Sequence, residues 1–102
     1  MAEYPRPPKR VRDPWLLRRL HHEWKECALC GATGPQLSLH HLRKHPRDDT
    51  EENLVMLCGS GTTGCHGLIE ANDAETHATL EAYLGRERPE ALVCYRKGKR
   101  SR

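Results

Sequence analysis

The sequence predicts a small α+β domain in which helices flank two or three short strands. Three observations predict it: a length of 102 residues, which suits one domain; hydrophobic runs that alternate between helical and strand spacing; and a thin apolar complement. Hydrophobic residues make up 36%, with five aromatics and no Phe. Counted with glycine the apolar share is roughly 41%, under the usual ~45–50%. A chain this short with so little bulk calls for a staple. Five cysteines and seven histidines are the candidates.

The elements follow in order. Residues 1–12 form a basic, Pro-rich arm. Asp13-Pro14 is a helix start, with Asp as cap and Pro in the first turn. Trp15, Leu16, Leu20 and Trp24 repeat at helical spacing to about Glu26, so both Trp are expected to anchor the core, with base-stacking platforms as the lesser alternative. The segment CALCGATG (27–34) is turn-rich; Leu37, Leu39 and His41 alternate as a strand does. Arg43 to Glu52 reads as a polar loop in which Asp48 and Asp49 serve solubility, with support of His41 as the lesser alternative. Leu54 to Leu57 is a second short element, followed by the loop GSGTTG (59–64). A helix opens near Cys65 and runs through Glu70. Asn72 with Glu75 fits a capping box for a helix to Leu84, stopped by Gly85. Ala91 to Tyr95 reads as a last strand, with Cys94 a buried thiol, before a basic tail at 96–102. His21, His22, His45 and His77 read as surface residues.

The longest apolar run, Leu54 to Cys58, is far shorter than the ~18 residues of a membrane helix. The N-terminus lacks the apolar region of a secretory signal. The expectation is an intracellular protein, where clustered Cys indicates metal rather than disulfide. The net charge of +3 conceals an asymmetry. Residues 1–25 carry seven Lys/Arg against three acids, residues 26–95 five against eleven, and residues 96–102 five against none. Basic ends around an acidic middle are a polyanion-binding footprint. Arg6, Lys9, Arg10, Arg12, Arg43, Lys44, Arg96, Lys97, Lys99 and Arg100 are the candidate DNA contacts.

Cys27-x2-Cys30-Gly31 has the spacing of a zinc knuckle, and Cys58 and Cys65 supply a second pair. Four thiolates complete a tetrahedral structural Zn2+ site. The six residues between Cys58 and Cys65 include three glycines that let the loop fold back. His40 and His41 end the first strand, where neighbours point to opposite faces, so one can hold a metal while the other addresses something else. His66 follows Cys65, and Glu70 lies four residues on along the same helix face. Neutral imidazole can also accept a proton near pH 7.

The set Cys27-x2-Cys30, Leu39-His40-His41-Leu42, Asn53, Leu57-Cys58 and Cys65-His66-Gly67 resembles the HNH endonucleases, particularly small phage-encoded ones with a CGSGTTGCHG loop. The resemblance spans about residues 27–70. It implies a ββα-metal finger (His-Me finger, treble-clef-like) with a structural four-cysteine zinc site and flanking helices, over a domain at 13–95. By that resemblance His41 is the general base and His40 and His66 are ligands of a catalytic divalent metal (Mg2+, Mn2+, Ni2+ or Zn2+). Asn53 orients the base or the metal, and Glu70 matches a position where some relatives place a third ligand. It further implies DNA as substrate, products with 5′-phosphate and 3′-hydroxyl ends, and a phage packaging role beside terminase subunits in the host cytoplasm. The competing reading is a zinc-stabilised nucleic-acid-binding or adaptor module without catalysis. That reading accounts for the cysteines and basic ends but not for the three clustered histidines.

Overall fold

The structure, a computed structural model, describes residues 11–44 and 46–100, apart from the side chains at 99 and 100. Its elements are α1 (Pro14–Glu23), β1 (Leu37–His41), a 3-10 turn (Glu51–Asn53), β2 (Leu54–Cys58), α2 (Gly64–Glu70), α3 (Ala74–Glu87) and α4 (Pro89–Arg100). The two strands form one antiparallel sheet, in which Ser38 faces Leu57, His40 faces Val55 and His41 faces Leu54. This is the α+β class expected. No helix among the described residues is long and apolar enough to cross a membrane.

The sheet organises the core because paired residues on antiparallel strands share a face. Val55 and Leu57 of β2 pack with Ile69 of α2, Leu80 and Leu84 of α3, and Ala91 and Tyr95 of α4. Ser38 and His40, paired with Leu57 and Val55, therefore look toward α2. His41 and Leu39, paired with Leu54 and Met56, look the other way. All four residues Leu54 to Leu57 are buried, so β2 is the central rib.

Helix α1 starts as its sequence dictates, with the Asp13 carboxylate accepting from the Leu16 N–H at 3.0 Å. It ends at Glu23, short of Glu26, because Trp24 is extended and Glu26 bridges Thr33 across the knuckle. Leu20 is its fully buried residue. Trp15 is 74% exposed, contrary to the anchoring role expected of it. One residue on a helix is a rotation of about 100°, and the buried line passes through Leu20 and its neighbour Leu16 rather than Trp15. Trp24 instead stacks under the Arg88 guanidinium at 4.8 Å.

The C-terminal half departs furthest from expectation. The segment Ala91 to Tyr95 is helical, not a strand. Ala91 and Tyr95, four apart, are both buried while Val93 between them is 53% exposed. Helix α4 continues through Arg100, so the first residues of the basic tail are helical. The cap of α3 is Asp73, whose carboxylate accepts from the Thr76 N–H at 3.0 Å and its hydroxyl at 2.6 Å. Asn72 takes φ 61° and turns the chain between α2 and α3. Gly85 does not stop α3. Arg88 closes it two residues after Arg86, donating to the carbonyls of Leu54 and Glu51 at 2.6 Å each.

His77 is half-buried rather than a surface residue. Its Nε2 lies 2.9 Å from the Ile69 carbonyl, which only accepts, so Nδ1 accepts from the Tyr95 hydroxyl at 2.9 Å. One imidazole thus ties α2, α3 and α4 together. Cys94 is half-buried on α4, where burial pushes its thiol up. His21 and His22 are exposed, as expected.

Candidate metal centres

The first cluster is built by turns. After Cys27 the chain closes on itself through Cys27 N–H to Ala32 O at 2.8 Å and Gly31 N–H to Cys27 O at 2.9 Å. The loop after Cys58 closes through Gly59 (φ 86°) and Gly64 (φ 63°). A Cβ at Gly59 would sit 2.1 Å from Thr63 O, and one at Gly64 would sit 2.5 Å from Cys58 O, so only glycine fits. That closure brings the Cys65 N–H to 3.4 Å from Cys58 Sγ, and Cys30 Sγ stands 3.6 Å from Cys58 Sγ.

The sulfurs of Cys27, Cys30, Cys58 and Cys65 all lie within 4.8 Å of one another and can hold one metal ion. All five cysteines of the chain are free thiols. Against its own burial, the backbone N–H groups of Cys30, Leu29 and Cys58 bring the Cys27 thiol down to about 7. Burial and the neighbouring Cys58 and Cys27 push Cys65 up. Four thiolates this close repel one another unless a cation sits among them.

The second cluster is built by regular structure. His40 from β1 and His66 and Glu70 from α2 place their ligand atoms within 4.8 Å of one another. His40 Nδ1 is 3.1 Å from Glu70 Oε1, and His66 Nε2 is 3.5 Å from the same oxygen. The two imidazoles meet edge to face, 5.1 Å between ring centres. Lys44 pairs with the other oxygen, Oε2. Although burial opposes it, Lys44 and then His40 hold the Glu70 carboxyl below its usual range.

Ser38 fixes the chemistry of His66. Its hydroxyl proton goes to Gly59 O at 2.8 Å, so toward His66 Nδ1 at 2.5 Å it can only accept. His66 therefore carries its proton on Nδ1 and turns the Nε2 lone pair toward the Glu70 carboxylate. A lone pair facing an anionic oxygen is repulsive, and a cation between them makes it attractive. Burial lowers the His66 pKa, favouring the neutral, ligating form. The donor set fits a divalent ion, and with three ligands it leaves a coordination position open.

His41 lies on the opposite face of β1. Its Nε2 is 2.8 Å from Oδ1 of Asp49, which is only 4% exposed. The carboxylate accepts, so Nε2 donates and Nδ1 keeps a lone pair for an incoming proton. The other Asp49 oxygen accepts from the Asp13 N–H at 3.0 Å, and the Asp49 N–H donates to Val11 O at 2.8 Å. Asp49 is thus a buried brace for His41 rather than a solubilising charge. Asn53, 3% exposed, acts one step back. It accepts from the Arg43 N–H at 2.8 Å and donates to Arg43 O at 3.0 Å and Asp48 O at 2.8 Å, setting the loop that carries Asp49.

Sequence reasoning assembled Cys27, Cys30, Cys58, Cys65, His40, His66 and Glu70 into their two groups, and the structure brings them together. It missed Ser38, and it held Asp49's support of His41 only as the lesser alternative to solubility. Ser38 was within reach, since it lies two residues before His40 and shares its face. Of the candidate DNA contacts, Arg12 is exposed, Arg43 and Lys44 flank the His cluster half-buried, Arg96 pairs with Glu81 at 3.6 Å, and Lys97 is exposed. Arg6, Lys9, Arg10 and His45 lie outside the described residues, as do the side chains of Lys99 and Arg100. Compared with protein-family models, with curated proteins and with solved structures, the chain matches none.

Proposed function

We propose that this chain is a metal-dependent DNA endonuclease of the HNH kind. In this reading β1, β2 and α2 form a ββα-metal finger and Cys27, Cys30, Cys58 and Cys65 bind zinc. The observation that carries it is the pairing, at the end of one strand, of a His–His–Glu donor set with a histidine braced by a buried carboxylate. A zinc-stabilised module without catalysis accounts for the four cysteines but gives no reason for this pairing. The sulfur spacing supports zinc: a tetrahedron with Zn–S of about 2.3 Å separates its sulfurs by about 3.8 Å, close to the 3.6 Å between Cys30 and Cys58.

His40, His66 and Glu70 would hold a divalent ion, which when bound would supply positive charge to the scissile phosphate. His41 Nδ1 takes the proton of the attacking water. Asp49 holds the imidazole in the tautomer that permits this and stabilises the imidazolium that forms. As the new P–O bond forms, the bond to the 3′-oxygen breaks, leaving 5′-phosphate and 3′-hydroxyl ends. Lys44, paired with Glu70, and Arg43, whose backbone Asn53 holds, flank the cluster; in this reading they contact phosphates beside the cut. A phage packaging role beside terminase is the setting this reading suggests.

The test is conversion of supercoiled plasmid to nicked or linear product in Mg2+, Mn2+ or Ni2+. Wild type should cut, and His41→Ala should cut about 10²–10⁴-fold more slowly, with zinc content and circular dichroism unchanged. Wild type cutting no better than His41→Ala in every metal would sink the enzyme reading and leave a binding module.

A further inference from the structure

Trp15 is the most exposed large hydrophobic side chain among the described residues, at 74%. It is not alone on its face. Arg18 and Arg19 lie three and four residues after Trp15, and His22 four and three after them, so they form a stripe along α1, and all four are exposed. The first turn of α1 contains no acid. Arg19 reaches Glu23 at 3.7 Å and Glu51 at 3.6 Å. Arg18 instead lies over the Trp15 ring, 5.1 Å from its centre. The result is a flat aromatic face with a guanidinium beside it, next to the exposed Arg12.

This platform has a fixed place relative to the candidate base. The Asp13 N–H, at the start of α1, donates to Asp49, whose other oxygen holds His41. Two hydrogen bonds therefore separate the first turn of α1 from His41, and the platform begins two residues further on. Although Glu23 and Glu51 engage Arg19, the aromatic face with Arg18 against it and no acid in the first turn of the helix complements a chain of phosphates and bases. Stacking further requires a base whose own face is open, which paired bases inside a duplex do not offer.

We propose that Trp15 and Arg18 dock an unpaired stretch of the strand that passes His41, Trp15 stacking on a base and Arg18 meeting the neighbouring phosphate. The inference rests on the nuclease reading and narrows its substrate class to DNA with an unpaired segment: single-stranded, frayed or branched.

The experiment measures binding by fluorescence anisotropy in a His41→Ala background, which leaves the DNA intact. The probes are a labelled single-stranded oligonucleotide and a blunt hairpin of matching sequence. Trp15→Ala should weaken single-strand binding about 10-fold or more, while Trp15→Phe, which keeps a stacking face, restores most of it. Hairpin binding should change far less. Arg18→Ala should lower the salt slope of single-strand affinity by about 0.7. The proposal is overturned if Trp15→Ala binds the single strand as tightly as its parent, if both probes lose equally, if neither binds, or if polyglutamate competes through Trp15 as well as DNA does. Absence of plasmid cutting together with Trp15-dependent binding removes the nuclease reading and leaves the docking surface standing. Cutting with Trp15-independent binding removes only the surface.

Discussion

The two donor clusters share one short helix, which gives Cys65 to the first and His66 and Glu70 to the second, yet they are built by opposite means. The cysteine group hangs on turns, with Cys30 at the surface and glycines forced at Gly59 and Gly64. The histidine group hangs on β1 and α2, with His40 buried and each neighbour braced: His66 by Ser38, Glu70 by Lys44 and His41 by Asp49. Four soft donors close a coordination shell and leave no position for chemistry, whereas three mixed donors leave one open. In the proposed reading the contrast separates an ion that would hold the chain from an ion that would work.

The largest effect expected from that contrast is on folding. Cys58→Ser should abolish the cooperative thermal transition and lower bound zinc from about one per chain to none. His66→Ala should keep both the transition and the zinc while losing the second ion and plasmid cutting. Equal damage from the two substitutions, read by calorimetry and metal analysis, would erase the distinction between the clusters.

A smaller effect tests the brace. Ser38→Ala frees the His66 tautomer and should weaken binding of the second ion about 10–100-fold by titration calorimetry. Cutting should recover at high metal concentration, and the zinc content should not change. If recovery fails, Ser38 does more than orient the ligand.

The smallest effect lies away from both clusters and serves as their control. The Thr76 hydroxyl and N–H lower the Asp73 carboxyl pKa. A lowered native pKa means stability present above the unfolded value near 3.8 and lost as pH falls through the native one. Asp73→Ala should therefore lower the melting temperature modestly at neutral pH, and the gap to wild type should shrink in acid. Zinc content and second-ion affinity should stay at wild-type levels.

The parts legible in the sequence are those where chemistry sits at fixed spacing. Cys27-x2-Cys30 and the adjacent His40-His41 announce themselves because a tight turn and a strand pleat leave few alternatives. Glu70 follows from His66 by one helical turn. Asp49 was legible only as the lesser alternative, because its carboxylate reaches His41 only after Asn53 pins the intervening loop from within. Ala91 to Tyr95 is five apolar residues that suit either period, and only packing on α3 decides for helix. Trp15 misled for a related reason: an aromatic beside an apolar stripe looks like part of it until the helix is rotated against its neighbours.

Cys65 and His66 are consecutive residues in the first turn of α2, a helix of seven residues. A helix of under two turns does not hold its shape unaided, since nucleation costs more than so few hydrogen bonds return. Its opening is set by the loop that Cys58 and Cys65 close, and its far end by Ile69 in the core and the His77 bond. Time then enters the design. In the proposed reading a cysteine-bound ion would have to arrive before His66 and Glu70 hold a common geometry, so a newly made chain would become competent in two ordered loading steps, and scarcity of the first metal would silence the second site even with its own ion plentiful.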